Sequence, residues 1–370
     1  MDKNQLKKAI RDLEISIKQL KDKKNKLFFF VADSKGTPIG SLSYIYGLAH
    51  QLKEMGYNVN MLYAEQEFVG VESWLGKPYS DLPHYNAAKD ILDVAPSDIL
   101  FIPELYSSIM KKTQGLHCKK IAILENFDYM TELIPFGYNW ETMGIHDCIT
   151  TSEEMKERLL EVFPKMKTYV IHPVIDDFYS KSNSGTPKQL IVNIISKDNK
   201  TVNNIVKPFK WRHPEYGFVT FRHVNGVSKK DFATYVSDGS ISIWVDTETD
   251  FGYSALESMA CGNLIIGKVP ENIPAWMLND KKQLRNNGIW FYNFRELPDL
   301  LANVLGALLH ENIPQEIYDE MEKTVSEYTQ DRQNKDINEA IEKTIINNRI
   351  NELTIAKQTA KDNLDKNSEE

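Results

Sequence analysis

Between Asp246 and Gly267 the chain reads DTETDFGYSALESMACGNLIIG, a loop, a helix from Ser254 to Ala260, a stop at Gly262 and an apolar strand. Gly252 permits a tight backbone turn ahead of that helix. The helix start then offers N–H groups and the positive end of its dipole to an anion such as a phosphate, worth ~0.3–2 kcal/mol. Glu257 lies three residues after Ser254, one turn on and on the same face, where a carboxylate can accept a pair of hydrogen bonds from ribose or sugar hydroxyls. A second glycine turn, Asp33-Ser-Lys-Gly36-Thr-Pro-Ile-Gly40-Ser41, also ends in a helix start, and Gly40 lets the backbone approach a ligand. Its G-x-x-x-G spacing is not the G-x-G-x-x-G of dinucleotide sites. A NAD-dependent oxidoreductase, with Glu65 as ribose-binding acid, is therefore the weakest reading. Glu104 and the pair Glu125-Asn126 close two further strands, where open α/β sheets bind ligands. Each is either a pocket residue or a cap on its loop.

These residues need strands and helices to hold them. Leu27 to Ala32 is a continuous apolar run, the mark of a strand buried on both faces. A helix through Leu42, Ile45, Leu48, Ala49 and Leu52 follows, stopped at Gly56, with strands expected at Val59–Ala64, Asp98–Pro103, Lys120–Leu124, Asp147–Thr151 and Tyr169–Ile171. Ser180 to Pro187 is the clearest linker. Beyond it, strands are expected at Leu190–Ile195, Gly217–Phe221 and Ile241–Val245. The organisation is thus an N-terminal helix (1–26), an α/β domain (27–179), a linker (180–187), a second α/β domain (188–313) and C-terminal helices with a tail (314–370).

The termini differ from the rest. Leu6, Ile10, Leu13, Ile17 and Leu20 form a heptad-like seam among nine basic and four acidic residues. From Pro314 onward, 14 acidic residues face eight basic ones. The seam is read as packing on its own domain or pairing with a neighbour, and the opposite charges suggest that the two ends attract, with a homo-oligomer as one outcome.

With 370 residues and 42% hydrophobic content the chain can fill two cores, which excludes a mainly disordered protein. No apolar run approaches the ~20 residues of a membrane span, and the charged N-terminus gives no expectation of a secretion signal. Cys118, Cys148 and Cys261 are odd in number and scattered, which points to a reducing, cytoplasmic setting rather than a disulfide framework or a zinc site. A net charge of −8 argues against a broad nucleic-acid surface, although Lys111, Lys112, Lys119 and Lys120 could make a local basic patch. Trp74, Tyr79, Tyr85, Tyr129, Phe136, Tyr138 and Trp140 crowd the first domain's loops, for packing in the main.

The Phe251–Gly262 segment resembles the donor-site signature of retaining GT-B glycosyltransferases of family 4, Glu-x-Phe-Gly near a helix ending Leu-Glu-Ala-Met-Ala-Cys-Gly. The opening strand, glycine loop and first helix (27–65), the passages ITTSEEMKERL and VIHPVIDDFY, and GKVPENIPAWM agree with that family in order, covering roughly residues 27–310. The resemblance implies two Rossmann-like α/β domains facing across a cleft. It implies transfer of a sugar from a nucleotide diphosphate sugar, UDP-glucose by default, to an acceptor hydroxyl with retention and without a metal or other cofactor. Glu257 matches the ribose-binding glutamate; Gly252, Tyr253 and Ser254 match the backbone facing the donor phosphates; Gly40 matches the first glycine loop. Lys197 matches the base that neutralises the leaving diphosphate, with Lys200 as the alternative. Thr249 stands where the family has its first glutamate, flanked by Glu248 and Asp250. Ser196 stands in place of an arginine that Arg222 could replace, and Glu104 occupies a place like that of the first-domain histidine. The acceptor is open: a carbohydrate, a small molecule or a modified nucleic-acid base. The rivals are a GT-B-like nucleotide-sugar epimerase and a non-catalytic scaffold that has lost part of the donor site.

Overall fold

A computed structural model describes residues 3–90, 92–182, 188–245 and 250–369. The chain forms two compact units. Unit 1 comprises residues 1–72, 76–172 and 333–370, and unit 2 comprises residues 73–75 and 173–332. The division after His172 precedes the Ser180–Pro187 segment, of which residues 183–187 lie outside the described part.

Unit 1 opens with α1 (Lys3–Lys21), then β1 (Lys26–Phe30), α2 (Gly40–Glu54), β2 (Asn58–Tyr63), β3 (His84–Asn86) and β4 (Ile99–Pro103). It continues with α3 (Ser107–Lys112), β5 (Lys119–Leu124), α4 (Phe127–Leu133), β6 (Asp147–Thr150), α5 (Glu153–Val162) and β7 (Lys167–Val170). The strands make one parallel sheet ordered β3-β2-β1-β4-β5-β6-β7. Leu27 to Phe30 are buried because helices cover both faces of a parallel sheet, and the Phe29 ring stacks on Phe101 across the β1–β4 pair at 4.3 Å. The stripe expected on α2 is buried throughout, and Gly56 ends it at φ 89°.

Unit 2 contains α6 (Asp177–Ser182), β8 (Gln189–Ile195), α7 (Asn199–Arg212), β9 (Thr220–Val224), α8 (Lys229–Asp238), β10 (Gly239–Trp244), α9 (Tyr253–Ala260), β11 (Leu264–Lys268), β12 (Ile289–Phe291), α10 (Leu297–Leu309) and α11 (Gln315–Ser326). Its parallel sheet runs β12-β11-β10-β8-β9. The ninth strand starts later than the expected Gly217–Phe221. Pro214–Tyr216 forms a 3-10 turn closed by the Gly217 N–H to the Pro214 carbonyl, and Phe218 is exposed. Gly262, at φ 74°, ends α9 in a left-handed cap whose N–H reaches the Met259 carbonyl while that of Asn263 reaches Ser258.

The chain returns to unit 1 through α12 (Gln330–Ile337), a π-helical stretch (Asn338–Ile346) and α13 (Asn347–Glu369). The terminal helices pack on each other inside unit 1, with Leu6 and Leu20 of α1 and Leu353 of α13 buried. Their ion pairs run in both senses: Glu14 of the basic helix meets Lys357 and Lys361 of the acidic end at 3.7 and 4.0 Å, while Lys23, just past α1, pairs with Glu342 in the expected sense. No described helix is long and apolar enough to cross a membrane.

Candidate functional site

In an open α/β sheet the binding crevice lies where the strand order reverses. In unit 2 that point falls between β8 and β10, whose last residues, Ile195 and Trp244, are abreast. The loop after β8 carries Lys197 and the loop after β10 leads to Gly252. The candidate segments are therefore brought to one place by topology, although Asp246 to Thr249, including Glu248 and Thr249, lie outside the described residues.

Gly252 begins α9 in the left-handed region at φ 74°, ψ 50°. A Cβ there would stand 2.8 Å from Cζ2 of the buried Trp244 ring and 3.4 Å from that of Trp276, so only glycine fits. Trp276 pins the turn by donating its indole N–H to the Phe251 carbonyl. The helix that follows has neither a side-chain cap nor an acid in its first turn. By contrast, Asp198 caps α7 and Ser228 caps α8, while α10 and α11 carry Asp299 and Glu316 in their first turns. A helix start without either device is suited to an exogenous anion.

The Ser196–Lys200 segment, the loop after β8 and the first turn of α7, is fixed by its own neighbours. Asp198 accepts from the Thr201 N–H at 2.7 Å and from the Thr201 hydroxyl at 2.8 Å, contacts that hold its carboxyl below the usual range. Ser196 Oγ accepts the Asp198 N–H, His223 Nε2 meets the Ser196 carbonyl at 2.8 Å, and Asn225 donates to the Lys197 carbonyl at 3.0 Å. Lys197 and Lys200 are left with exposed side chains beside the switch point. Sequence reasoning missed His223 and Asn225; the only signal is their polar run at the end of β9. Arg222 is turned away from this loop, with its guanidinium 5.2 Å over the Tyr235 ring and its Nη1 donating to the Tyr235 carbonyl.

Glu257 is partly buried on α9. Burial pushes its carboxyl up to about 7, opposed by hydrogen bonding from Tyr179 and by the Lys229 charge. Tyr253 and Ser254 stand half-buried on the first turn, with Asp250 partly buried just before it.

Unit 1 presents a separate set. Its switch point lies between β1 and β4. Gly40 is exposed at the first position of α2, which also lacks a side-chain cap and an early acid. Glu65 is consumed by structure, its two oxygens accepting the N–H groups of Asp33 and Ala64, which removes the ribose-binding acid of the dinucleotide reading. Glu104 is buried at the end of β4 and accepts the Asn126 N–H at 3.1 Å, while Asn126 itself caps α4. Glu125 beside it is pushed up by burial and by the Glu104 charge. Lys119 and Lys120 do not form a basic patch. Lys119 pairs with Asp147, and the buried Lys120 donates to the carbonyls of Thr113 and Gln114. Among the loop aromatics expected in the first domain, Trp140 is buried and Phe136 fully exposed, while Trp74, also buried, belongs to unit 2.

Comparison with known proteins gives no sequence-level match, either to a protein-family model or to a curated protein. Solved structures do match. A glycosyltransferase from Rickettsia africae aligns with a TM-score of 0.56 at 15% identity, over 84% of this chain and 95% of the other. Anabaena HepE in complex with UDP-glucose aligns at 0.58 and 12% identity, over 86% and 99%. An alpha-glucosyltransferase in complex with UDP and a DNA containing an HMU base aligns at 0.54 and 13% identity, over 82% and 94%. The fold is GT-B. Each alignment takes in most of both chains, so the two parallel sheets belong to one GT-B pattern, and among the described residues no cluster of His, Cys, Asp or Glu is arranged to hold a metal ion.

Proposed function

We propose that the protein is a glycosyltransferase that moves a sugar from a nucleotide diphosphate sugar to an acceptor hydroxyl with retention of configuration. The observation that carries this reading is the start of α9, without a side-chain cap, at the β8–β10 switch point, with Lys197 on the adjoining loop and Lys200 in the first turn of α7. In the reaction the bond from the sugar's anomeric carbon to the diphosphate breaks, its electron pair leaving with the phosphate oxygen. The acceptor oxygen bonds to that carbon and its proton passes to the leaving phosphate. Charge therefore grows on the diphosphate, where preorganised N–H groups and a lysine stabilise it most in the transition state. We assign that role to Lys197, with Lys200 as the second candidate, and to the backbone of Gly252, Tyr253 and Ser254. Glu257 takes the ribose hydroxyls, and Glu104 in unit 1 serves the acceptor. No resident cofactor or metal enters the scheme.

UDP-glucose is the donor to try first, supported by its presence in the Anabaena structure. A carbohydrate or small-molecule acceptor is favoured over a nucleic-acid base, because Lys119 and Lys120 are engaged inside unit 1. The test is a panel of nucleotide sugars followed by thermal shift and nucleotide release. Ligand at ~100 Kd stabilises the fold by about 2.7 kcal/mol, and Lys197→Ala should abolish release while leaving the unliganded melting temperature in place. Absence of any shift at millimolar ligand would overturn the proposal.

A further inference from the structure

The sheet of unit 2 ends at β9, and among the described residues no strand pairs with its outer side. In a parallel ladder alternate residues turn their N–H and C=O groups away from the neighbouring strand. Part of the β9 backbone therefore points outward, and beyond the pairing with β8 no other described residue hydrogen-bonds the backbone of Thr220 to Val224. Beside that edge runs a groove of about 490 Å³, whose walls include Val202, Val206 and Lys210 of α7 and Val219, Phe221 and His223 of the β9 arm. The pleat puts Phe221 and His223 on the face toward α7. The Phe221 ring lies 5.4 Å from that of Phe209 and 5.7 Å from Lys210 Nζ. Arg222 points to the other face, over Tyr235 of α8, and so does not guard the groove. On α7, Ile205 and Phe209 are buried in the core, whereas Val202 and Val206, one turn apart, remain half-covered. The helix thus overhangs space for a strand that the sheet does not supply.

Charge selects what could fill it. From Lys197 to Lys230, eight Lys or Arg stand against two Asp or Glu, a net of +6 in a chain of net −8. Lys207 and Lys210 are exposed along α7, neither joins an ion pair among the described residues, and no acid lines the groove. A second copy paired edge to edge would bring two lysine-bearing α7 faces together, which like charges oppose. We propose that this edge docks an extended acidic segment of a partner protein, added as a sixth strand beside β9. Its backbone bonds the outward groups of β9, alternate apolar side chains cover Val202, Val206 and Phe221, and its carboxylates approach Lys207 and Lys210. The apolar floor and the open backbone row favour a peptide over a polyanion, which uses neither. Strand addition here is independent of whether a nucleotide binds at α9.

The probe is a fluorescein-labelled nonapeptide alternating glutamate with valine, titrated onto the full chain by fluorescence polarisation at ~50 mM salt. Saturable binding is expected, about 10-fold weaker for Lys210→Glu at an unchanged melting temperature, and weaker again as salt rises. Hydrogen exchange should show peptide-dependent protection over Thr220 to Val224 and over Val202 to Lys210. The same peptide N-methylated along one edge loses strand pairing and should bind about 10-fold more weakly. No binding at ~1 mM peptide overturns the inference, as does undiminished binding of the N-methylated peptide or protection elsewhere on the chain. A lysine–valine peptide that binds equally well refutes the acidic partner. Heparin that binds the wild type and not Lys210→Glu, where the glutamate–valine peptide binds neither, makes the groove a polyanion site instead. Concentration-dependent self-association with protection at β9 would assign the edge to a second copy.

Discussion

Gly252 and Glu257 answer to different physics although they share one helix. At Gly252 the demand is steric, a left-handed backbone with the Trp244 ring where a side chain would begin. Gly252→Ala should cost roughly 2–5 kcal/mol, combining the left-handed penalty with overpacking, read as a drop in the urea midpoint at unchanged slope. At Glu257 the demand is electrostatic. Its folded carboxyl is pushed up to about 7, above the ordinary range, so its contribution to stability is full below the unfolded value and is lost as pH rises through 7. Glu257→Gln, which cannot ionise, should therefore raise the melting temperature of unliganded protein at pH ~8 and leave it nearly unchanged at pH ~5. A variant equally stable with wild type at both values would show that Glu257 carries no desolvation cost. Much of this was legible: the glycine, the serine and the carboxylate one turn on stand together in the sequence. The roles of His223 and Asn225 were not, because each braces the Ser196–Lys197 backbone across a contact that sequence spacing does not encode.

Elements were read well where one physical cause dominates. Continuous apolar runs mark strands buried on both faces, and β1, β4, β5 and β8 lie within a residue of their expected starts. The failures come where tertiary contacts decide. The strand β3 is three residues, His-Tyr-Asn, held by its register against Met61 to Tyr63 and by no apolar pattern of its own. Likewise β12 pairs only at its three residues with β11. The helical ends show the same lesson in charge. Net charges of opposite sign suggested attraction, and Lys23 does pair with Glu342, but between α1 and α13 the buried groups are leucines, with Glu14 set against lysines. Exposed ion pairs contribute little, so apolar burial is the term that holds α1. Leu20, 1% exposed, should cost about 2–5 kcal/mol on truncation to alanine, whereas Glu14→Gln should change stability by under ~1 kcal/mol. Urea unfolding of the two variants checks the ranking, and a larger loss from Glu14→Gln would reverse it.

At the scale of the whole molecule, two units each offer a helix start without a side-chain cap, α9 at the β8–β10 switch and α2 near the β1–β4 switch. The first is flanked by exposed lysine side chains on a loop braced from below. The Lys197 loop is held by Ser196, Asp198, His223 and Asn225, whereas the loop before α2 turns through Gly36 at φ 75° and is tied to Glu65 and Gly70 through Asp33. A diphosphate carries charge that a lone helix dipole offsets by at most ~2 kcal/mol, and charge-assisted contacts to lysine add ~1.5–3 kcal/mol. The donor diphosphate is therefore expected on unit 2. Hydrogen exchange with and without UDP should show new protection over Gly252 to Glu257 and over Ser196 to Lys200, with α1 and α13 unaffected. Protection appearing over Gly36 to Ser43 instead would move the diphosphate to unit 1 and make unit 2 the acceptor side, since the N–H groups at the head of α2 would then be the ones taken up by phosphate oxygens.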